Sequence, residues 1–219
     1  MTDKARIFDL DGTLVDSLPG ISVALNAALA GAGFPRHPES AVRGFVGDGL
    51  ETTVRRACPA GTGDAVIDGL VEEFRAVYAD VWQTGTRPYE GIRELLLELR
   101  AGGMPLAVLS NKSHAFTREM VAEVFAEVEF ACVLGLRPGM PPKPDPAGAV
   151  EILQTLALPP SQCWMIGDST MDIATGKNAG MRSCAVTWGY HDAEPLKAAR
   201  PDALVADVDG LRRLLQAGS

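Results

Sequence analysis

Hydrophobic residues in this chain fall into two alternating rhythms. Unbroken apolar runs at Ile7-Phe8, Leu106 to Leu109, Phe130 to Leu134, Cys163 to Ile166 and Ser183 to Val186 are bounded by turn or polar residues. They predict strands buried on both faces, and Ala203 to Val205 a last, weaker one. Apolar residues three and four apart predict helices at Ile92 to Arg100, about 114 to 125, about 147 to 156, Ile173 to Asn178 and Leu211 to Gln216. Strands alternating with such helices imply βαβ units, hence an α/β core with a doubly wound parallel sheet.

The first strand is followed by something different. Asp16-Ser17 offers an N-cap, and Ile21, Leu25, Ala28 and Leu29 keep helical spacing until Gly31 and Gly33. After a loop at Pro35 and Pro38, Val42 to Val46 reads as a short helix or turn, and Gly47-Asp48-Gly49 as a break. Leu50 to Cys58 and Asp64 to Trp82 then predict helices, the second with an apolar stripe of Val66, Leu70, Val71, Phe74, Val77 and Tyr78. With no strand signal from about 16 to 84, this is an inserted helical domain. Residues 1–15 and 85–219 form the α/β core domain.

Composition narrows the partners. At 219 residues and 47% hydrophobic content, the chain can bury one good core and a smaller appended unit. A net charge of -8 argues against nucleic acid or an anionic membrane as partner, and an anionic small substrate would need local cations or a metal. The polar start, Met1 to Arg6, leaves no room for a signal peptide, and no apolar run approaches the roughly 18 residues of a membrane span, so a cytoplasmic protein is expected. Cys58, Cys132, Cys163 and Cys184 form no C-x-x-C pair and read as small buried hydrophobes. With no heptad or large unexplained apolar stripe, a monomer or homodimer is expected.

The chemistry gathers where strands end. Asp9 and Asp11, two apart after the first strand, can converge on one face of an extended chain, where two like charges need a cation or a shared proton. An EF-hand calcium loop shares D-x-D-G, but its first and last ligand positions would fall on Ile7 and Leu18. Ser110 and Asn111 follow the second strand, and Asp168 and Asp172 a later one. Ligands of open parallel sheets bind at these carboxyl ends. Lys143, held between Pro142 and Pro144, could place an ammonium against a phosphate. Singly, Ser110, Asp168 and Asp172 could be helix caps and Lys143 a surface lysine; their joint placement favours a site.

Asp9-Leu10-Asp11-Gly12-Thr13, Ser110-Asn111, Lys143-Pro144-Asp145-Pro146 and Gly167-Asp168-Ser169-Thr170-Met171-Asp172, in that order, resemble the four signature motifs of the haloacid dehalogenase superfamily of phosphohydrolases. The resemblance covers essentially the whole chain. It implies a Rossmann-like core with a helical cap inserted after the first motif. Phe45 to Leu50, Ser110-Asn111-Lys112 and Thr187-Trp188-Gly189-Tyr190 further resemble phosphoglycolate phosphatases, with Ser110 where many of those have threonine.

The resemblance implies that Asp9 attacks phosphorus to give an aspartyl-phosphate, and that Asp11 serves as acid and then base. It also implies a Mg2+ ion held by the Asp9 carboxylate, the Asp11 backbone carbonyl and Asp168, with Asp172 in support or as an occasional ligand. Ser110 and the backbone amides of Leu10 and Asn111 would bind the phosphoryl group, and Lys143 would neutralise it. Thr13 is expected to support Asp11. In the cap, Gly47 and Gly49 would let the backbone approach the ligand, and Arg43, Arg55 or Arg56 could meet a carboxylate. Trp82 and Trp188 are expected to pack.

The expected substrate is a small phosphomonoester, 2-phosphoglycolate first, with nucleotide monophosphates, sugar phosphates and pyrophosphate as alternatives. A sugar phosphomutase is the enzymic rival, although Thr13 stands where phosphomutases tend to have valine. A non-catalytic binding module is the rival of another class, and it should have lost one of Asp9, Asp11, Lys143 or Asp168.

Overall fold

The computed structural model describes residues 4–217; the Met1–Asp3 part of the polar start lies outside them. Six parallel strands form one sheet in the order β5-β4-β1-β6-β7-β8. They are β1 (Ala5–Phe8), β4 (Leu106–Ser113), β5 (Cys132–Leu136), β6 (Cys163–Gly167), β7 (Arg182–Val186) and β8 (Ala203–Val205). β1 lies between β4 and β6, pairing Ile7 with Ala107 and with Met165. The motifs that follow these strands, far apart in sequence, therefore end side by side.

Alternation along the strands gives the sheet two faces. Ile7, Ala107, Leu109 and Met165 pack with Ile152 and Leu153 of α7 (Ala147–Leu156). Phe8, Leu106, Val108 and Ile166 pack on the other face with α5 (Ile92–Ala101), α6 (His114–Val124) and α10 (Val208–Ala217). α8 (Thr170–Asn178) leaves the tip of β6 and packs along β6 and β7.

Between β1 and β4, α1 (Leu18–Gly31) and α4 (Asp64–Val81) pack against each other, with α2 (Glu39–Val42) and α3 (Leu50–Ala57) beside them. Leu25, Phe74, Tyr78 and Trp82 join the same apolar cluster as Phe8 and Val108.

Several elements differ from the sequence reading. A ribbon of β2 (Val15–Asp16) and β3 (Arg87–Pro88) joins the helical segment to the sheet; two-residue strands are too short to carry a period. Beside the ribbon, α1 and the loop before β3 cross closely, since a Cβ on Gly85 would come 2.5 Å from Gly20 Cα. The six-residue α9 (Ala193–Ala198) escaped the periodicity for the same reason. β4 runs on through Asn111 to Ser113, past its apolar stretch, with a register shift after Leu109. The stripe of α4 is centred on Ile67 rather than Val66, which is 44% exposed. Ser17 holds the N-cap position of α1 without a capping bond, and Asp16 accepts the Leu18 N–H at 3.1 Å.

All four cysteines are free, but only Cys163 and Cys184 are buried; Cys132 is on edge strand β5 and Cys58 ends α3. Among the described residues, no helix is long and apolar enough to cross a membrane.

Candidate active site

The first motif is a turn, not a continued strand. β1 ends at Phe8, and the Leu10 carbonyl accepts the N–H groups of Leu14 at 2.9 Å and Val15 at 3.1 Å. Asp9 and Asp11 therefore line one cavity without sharing the face of an extended chain. Gly12 makes the turn at φ 82, and a Cβ there would lie 2.4 Å from Asp168 Oδ2. Thr13 supports Asp168 rather than Asp11, its hydroxyl donating to Asp168 Oδ1 at 3.1 Å. The turn points that hydroxyl at the neighbouring strand tip.

Asp9, Asp168 and Asp172 are buried and can bring one oxygen each within 4.8 Å of one another. Lys143 lies under them, its Nζ 2.8 Å from Asp9 Oδ1 and 2.6 Å from Asp172 Oδ1. The other Asp172 oxygen accepts the Ser169 N–H at 3.0 Å and hydroxyl at 2.6 Å, closing a capping box on α8. The first-turn reading of Asp172 thus holds beside its contact with Lys143. Asp168 also accepts the Tyr190 N–H at 2.7 Å.

Burial pushes the Asp9 carboxyl up to about 8, with Asp172 and Asp168 adding and Lys143 opposing. For Lys143, burial pulls down, but Asp172 and Asp9 outweigh it and the net shift is upward. Three carboxylates face one ammonium, with the His191 ring 3.5 Å from Asp168 as the next basic group, so the cluster is short of positive charge. Hard oxygens, close together and short of a cation, fit a divalent ion such as Mg2+.

The Asp11 side chain is engaged elsewhere. Lys112 Nζ lies 3.0 Å from both its oxygens, and Ser17 donates its hydroxyl to Oδ1. Tyr190 braces this side, its hydroxyl accepting the Ser17 N–H at 2.8 Å. Asn111 ties three segments together: its Oδ1 accepts the Lys143 N–H at 2.8 Å, and its Nδ2 donates to Gly47 O at 3.1 Å and Lys143 O at 3.3 Å. The buried Ser110 hydroxyl accepts the Lys112 N–H at 3.2 Å.

Asp9, Asp11, Ser110, Asn111, Lys112, Asp168 and Tyr190 border a cavity of about 540 Å³ roofed by Gly47, Gly49, Phe74 and Tyr78, whereas Lys143 and Asp172 do not line it and reach it through Asp9. Both glycines have positive φ, 130 and 88, and a Cβ on Gly47 would stand 3.1 Å from the His191 ring. The Leu10 side chain is fully buried, leaving only its backbone for a ligand. Arg43 does not line the cavity: it donates to Tyr190 O at 2.7 Å and Gly189 O at 3.0 Å, so main-chain carbonyls take the charge expected for substrate. Arg55 pairs with Glu51 and Asp64, and Arg56 with Asp48, all away from the cavity floor. Trp82 is buried, and Trp188 donates to Thr13 O at 3.2 Å. The sequence marks Ser17 only as a helix cap, carries Lys112 and Tyr190 only inside motifs, and gives no signal for His191.

A doubly wound sheet with an acidic cluster and a buried lysine at its carboxyl end defines an α/β enzyme built to handle phosphoryl groups. Residues 6–186 match the haloacid dehalogenase-like hydrolase family, and the chain belongs to it. It is a phosphatase of that family. It is 33% identical to a phosphoglycolate phosphatase of Pseudomonas putida over 94% of this chain and 77% of the relative. It is 34% identical to one of Vibrio vulnificus, over 97% and 94%. A solved structure from Lactobacillus delbrueckii matches with a TM-score of 0.92 at 30% identity, over 98% and 99% of the two chains. A haloacid dehalogenase-like family hydrolase from Streptococcus pneumoniae gives 0.86 at 27%, over 98% of each.

Proposed function

We propose that this phosphatase is Mg2+-dependent and hydrolyses 2-phosphoglycolate by way of a phosphoryl group carried on Asp9. The observation that carries the reading is Asp9 itself, buried beside Asp168 and Asp172 on the cavity floor with its carboxylate 2.8 Å from Lys143. The substrate is taken from the named relatives.

Residues 16–84 act as a cap over a core of 1–15 and 85–219 and exclude water from the site. The metal would be held by the Asp9 and Asp168 carboxylates and the Asp11 carbonyl; Asp172, whose oxygens serve Lys143 and Ser169, supports from behind. A bound Mg2+ supplies positive charge to the phosphoryl oxygens. Asp9 attacks phosphorus in line with the leaving oxygen, which Asp11 protonates; water then takes the phosphoryl group while Asp11 accepts its proton. The Ser110 hydroxyl and the Leu10 and Asn111 amides hold the phosphoryl oxygens, and Lys143 offsets their charge. The protein works in the cytoplasm as a monomer or homodimer, without nucleic acid or membrane.

The test is phosphate release from 2-phosphoglycolate, hexose phosphates, nucleotide monophosphates and pyrophosphate, with Mg2+ and with chelator. Turnover requiring both Mg2+ and Asp9, strongest on 2-phosphoglycolate, is expected. A different best substrate would replace the substrate alone, and turnover surviving Asp9→Asn would remove the mechanism.

A further inference from the structure

Lys112 presents a charge that the proposed chemistry leaves unused. Its side chain is 10% exposed and lines the cavity, with the ammonium 3.0 Å from both Asp11 oxygens and 4.8 Å from the centre of the Tyr78 ring. It therefore stands at the seam between β4 and α4. Of the other cationic groups, Lys143 serves Asp9 and Asp172, the His191 ring lies 3.5 Å from Asp168, and Arg75 and Arg137 form solvent-accessible pairs with Glu72 and Glu151, so Lys112 is the buried ammonium that faces Asp11.

The pairing has a consequence for catalysis. With Lys112 on both oxygens and Ser17 on one, both oxygens of the Asp11 carboxylate are already engaged. A buried ammonium that loses its anion is strongly disfavoured, so Lys112 releases Asp11 only when another anion takes its place.

We propose that Lys112 reads a carboxylate on the leaving group, and that moving its ion pair from Asp11 to that carboxylate frees Asp11 to meet the leaving oxygen. The exchange itself moves only an ion pair; the freed Asp11 carboxylate then takes up a proton from water, and that is the proton it delivers to the leaving oxygen. In 2-phosphoglycolate the carboxylate is one carbon from the ester oxygen, close enough for one ligand to meet both Lys112 and Asp11. An ester with a neutral leaving group leaves the Lys112–Asp11 pair closed. The inference rests on the phosphatase reading and names the residue behind its specificity.

The test compares kcat/KM for 2-phosphoglycolate and 2-hydroxyethyl phosphate, in which a hydroxymethyl group replaces the carboxylate. Wild type, Lys112→Met and Lys112→Arg are measured at saturating Mg2+. Taking the ratio on one preparation cancels any inactive fraction. Wild type is expected to favour the carboxylate, and Lys112→Met to shrink that preference roughly 10- to 100-fold, as loss of a charge-assisted bond implies. The loss should appear in both kcat and KM, with partial recovery in Lys112→Arg. Should Lys112→Met turn over neither substrate, the same ratio is read as Kd by calorimetry in an Asp9→Asn background. An undiminished preference in Lys112→Met overturns the Lys112 assignment and leaves the 2-phosphoglycolate reading standing. A wild type indifferent to the carboxylate overturns both.

Discussion

The ammonium of Lys143 is fixed 2.8 Å from Oδ1 of Asp9, and the same nitrogen reaches Asp172 on the first turn of α8. All three side chains are nearly inaccessible, so water cannot replace the lysine. Lys143→Met should destabilise the fold by about 3 kcal/mol, the usual cost of stripping one partner from a buried ion pair. It should also lower kcat by roughly 100-fold or more, through lost charge stabilisation. Urea unfolding and steady-state kinetics on the same preparation check both.

The raised proton affinity of Asp9 makes the metal-free protein sensitive to pH. Its carboxyl titrates near 8 in the folded chain and near 4 when unfolded, so the favourable contribution is complete below pH about 4 and is lost as pH rises through 8. Lys143, shifted upward, stays charged across that window. In chelator, the Tm of wild type should fall between pH 6 and pH 9, while Asp9→Asn falls less. The gap should open by about 2–4 °C per kcal/mol of this contribution. Adding Mg2+ should close it for wild type, with release of a proton measurable in weak buffer.

Gly12 joins two requirements in one residue. Its φ of 82 suits glycine, and an added Cβ would press on Asp168 at 2.4 Å. Gly12→Ala should cost about 1–3 kcal/mol. It should also weaken Mg2+ binding, because the displaced carboxylate is a proposed ligand. Thermal unfolding across a Mg2+ titration separates the two effects: the metal-induced rise in Tm shrinks only if Asp168 has moved.

The strands and most helices are legible in the sequence because each carries its own period, Asp9, Ser110 and Asp168 because strand ends announce them, and Lys143 because prolines flank it. What stays hidden depends on partners distant in the chain. Nothing local says that Thr13 reaches Asp168 rather than Asp11, or that Lys112 closes on Asp11 from 101 residues away. The fate of Arg43 is hidden similarly, since carbonyls at Gly189 and Tyr190 claim it only after the chain has folded.

Tyr190 links these hidden contacts. Its buried hydroxyl is the acceptor for the Ser17 N–H at 2.8 Å, and Ser17 in turn holds Asp11. Tyr190→Phe strands that N–H and should cost about 1–3 kcal/mol. Its backbone bond to Asp168 is untouched, so metal binding should survive. Calorimetric titration with Mg2+ alongside thermal unfolding tests that separation.

The most direct test of the central claim is to catch the phosphoryl group on Asp9. Wild type is mixed with 32P-labelled 2-phosphoglycolate and Mg2+, quenched in acid within one turnover, digested and mapped. Hydroxylamine-labile label on the peptide that carries Asp9, absent from Asp9→Asn, is the predicted result. Phosphate released at full rate with no label on the protein at any quench time would contradict it.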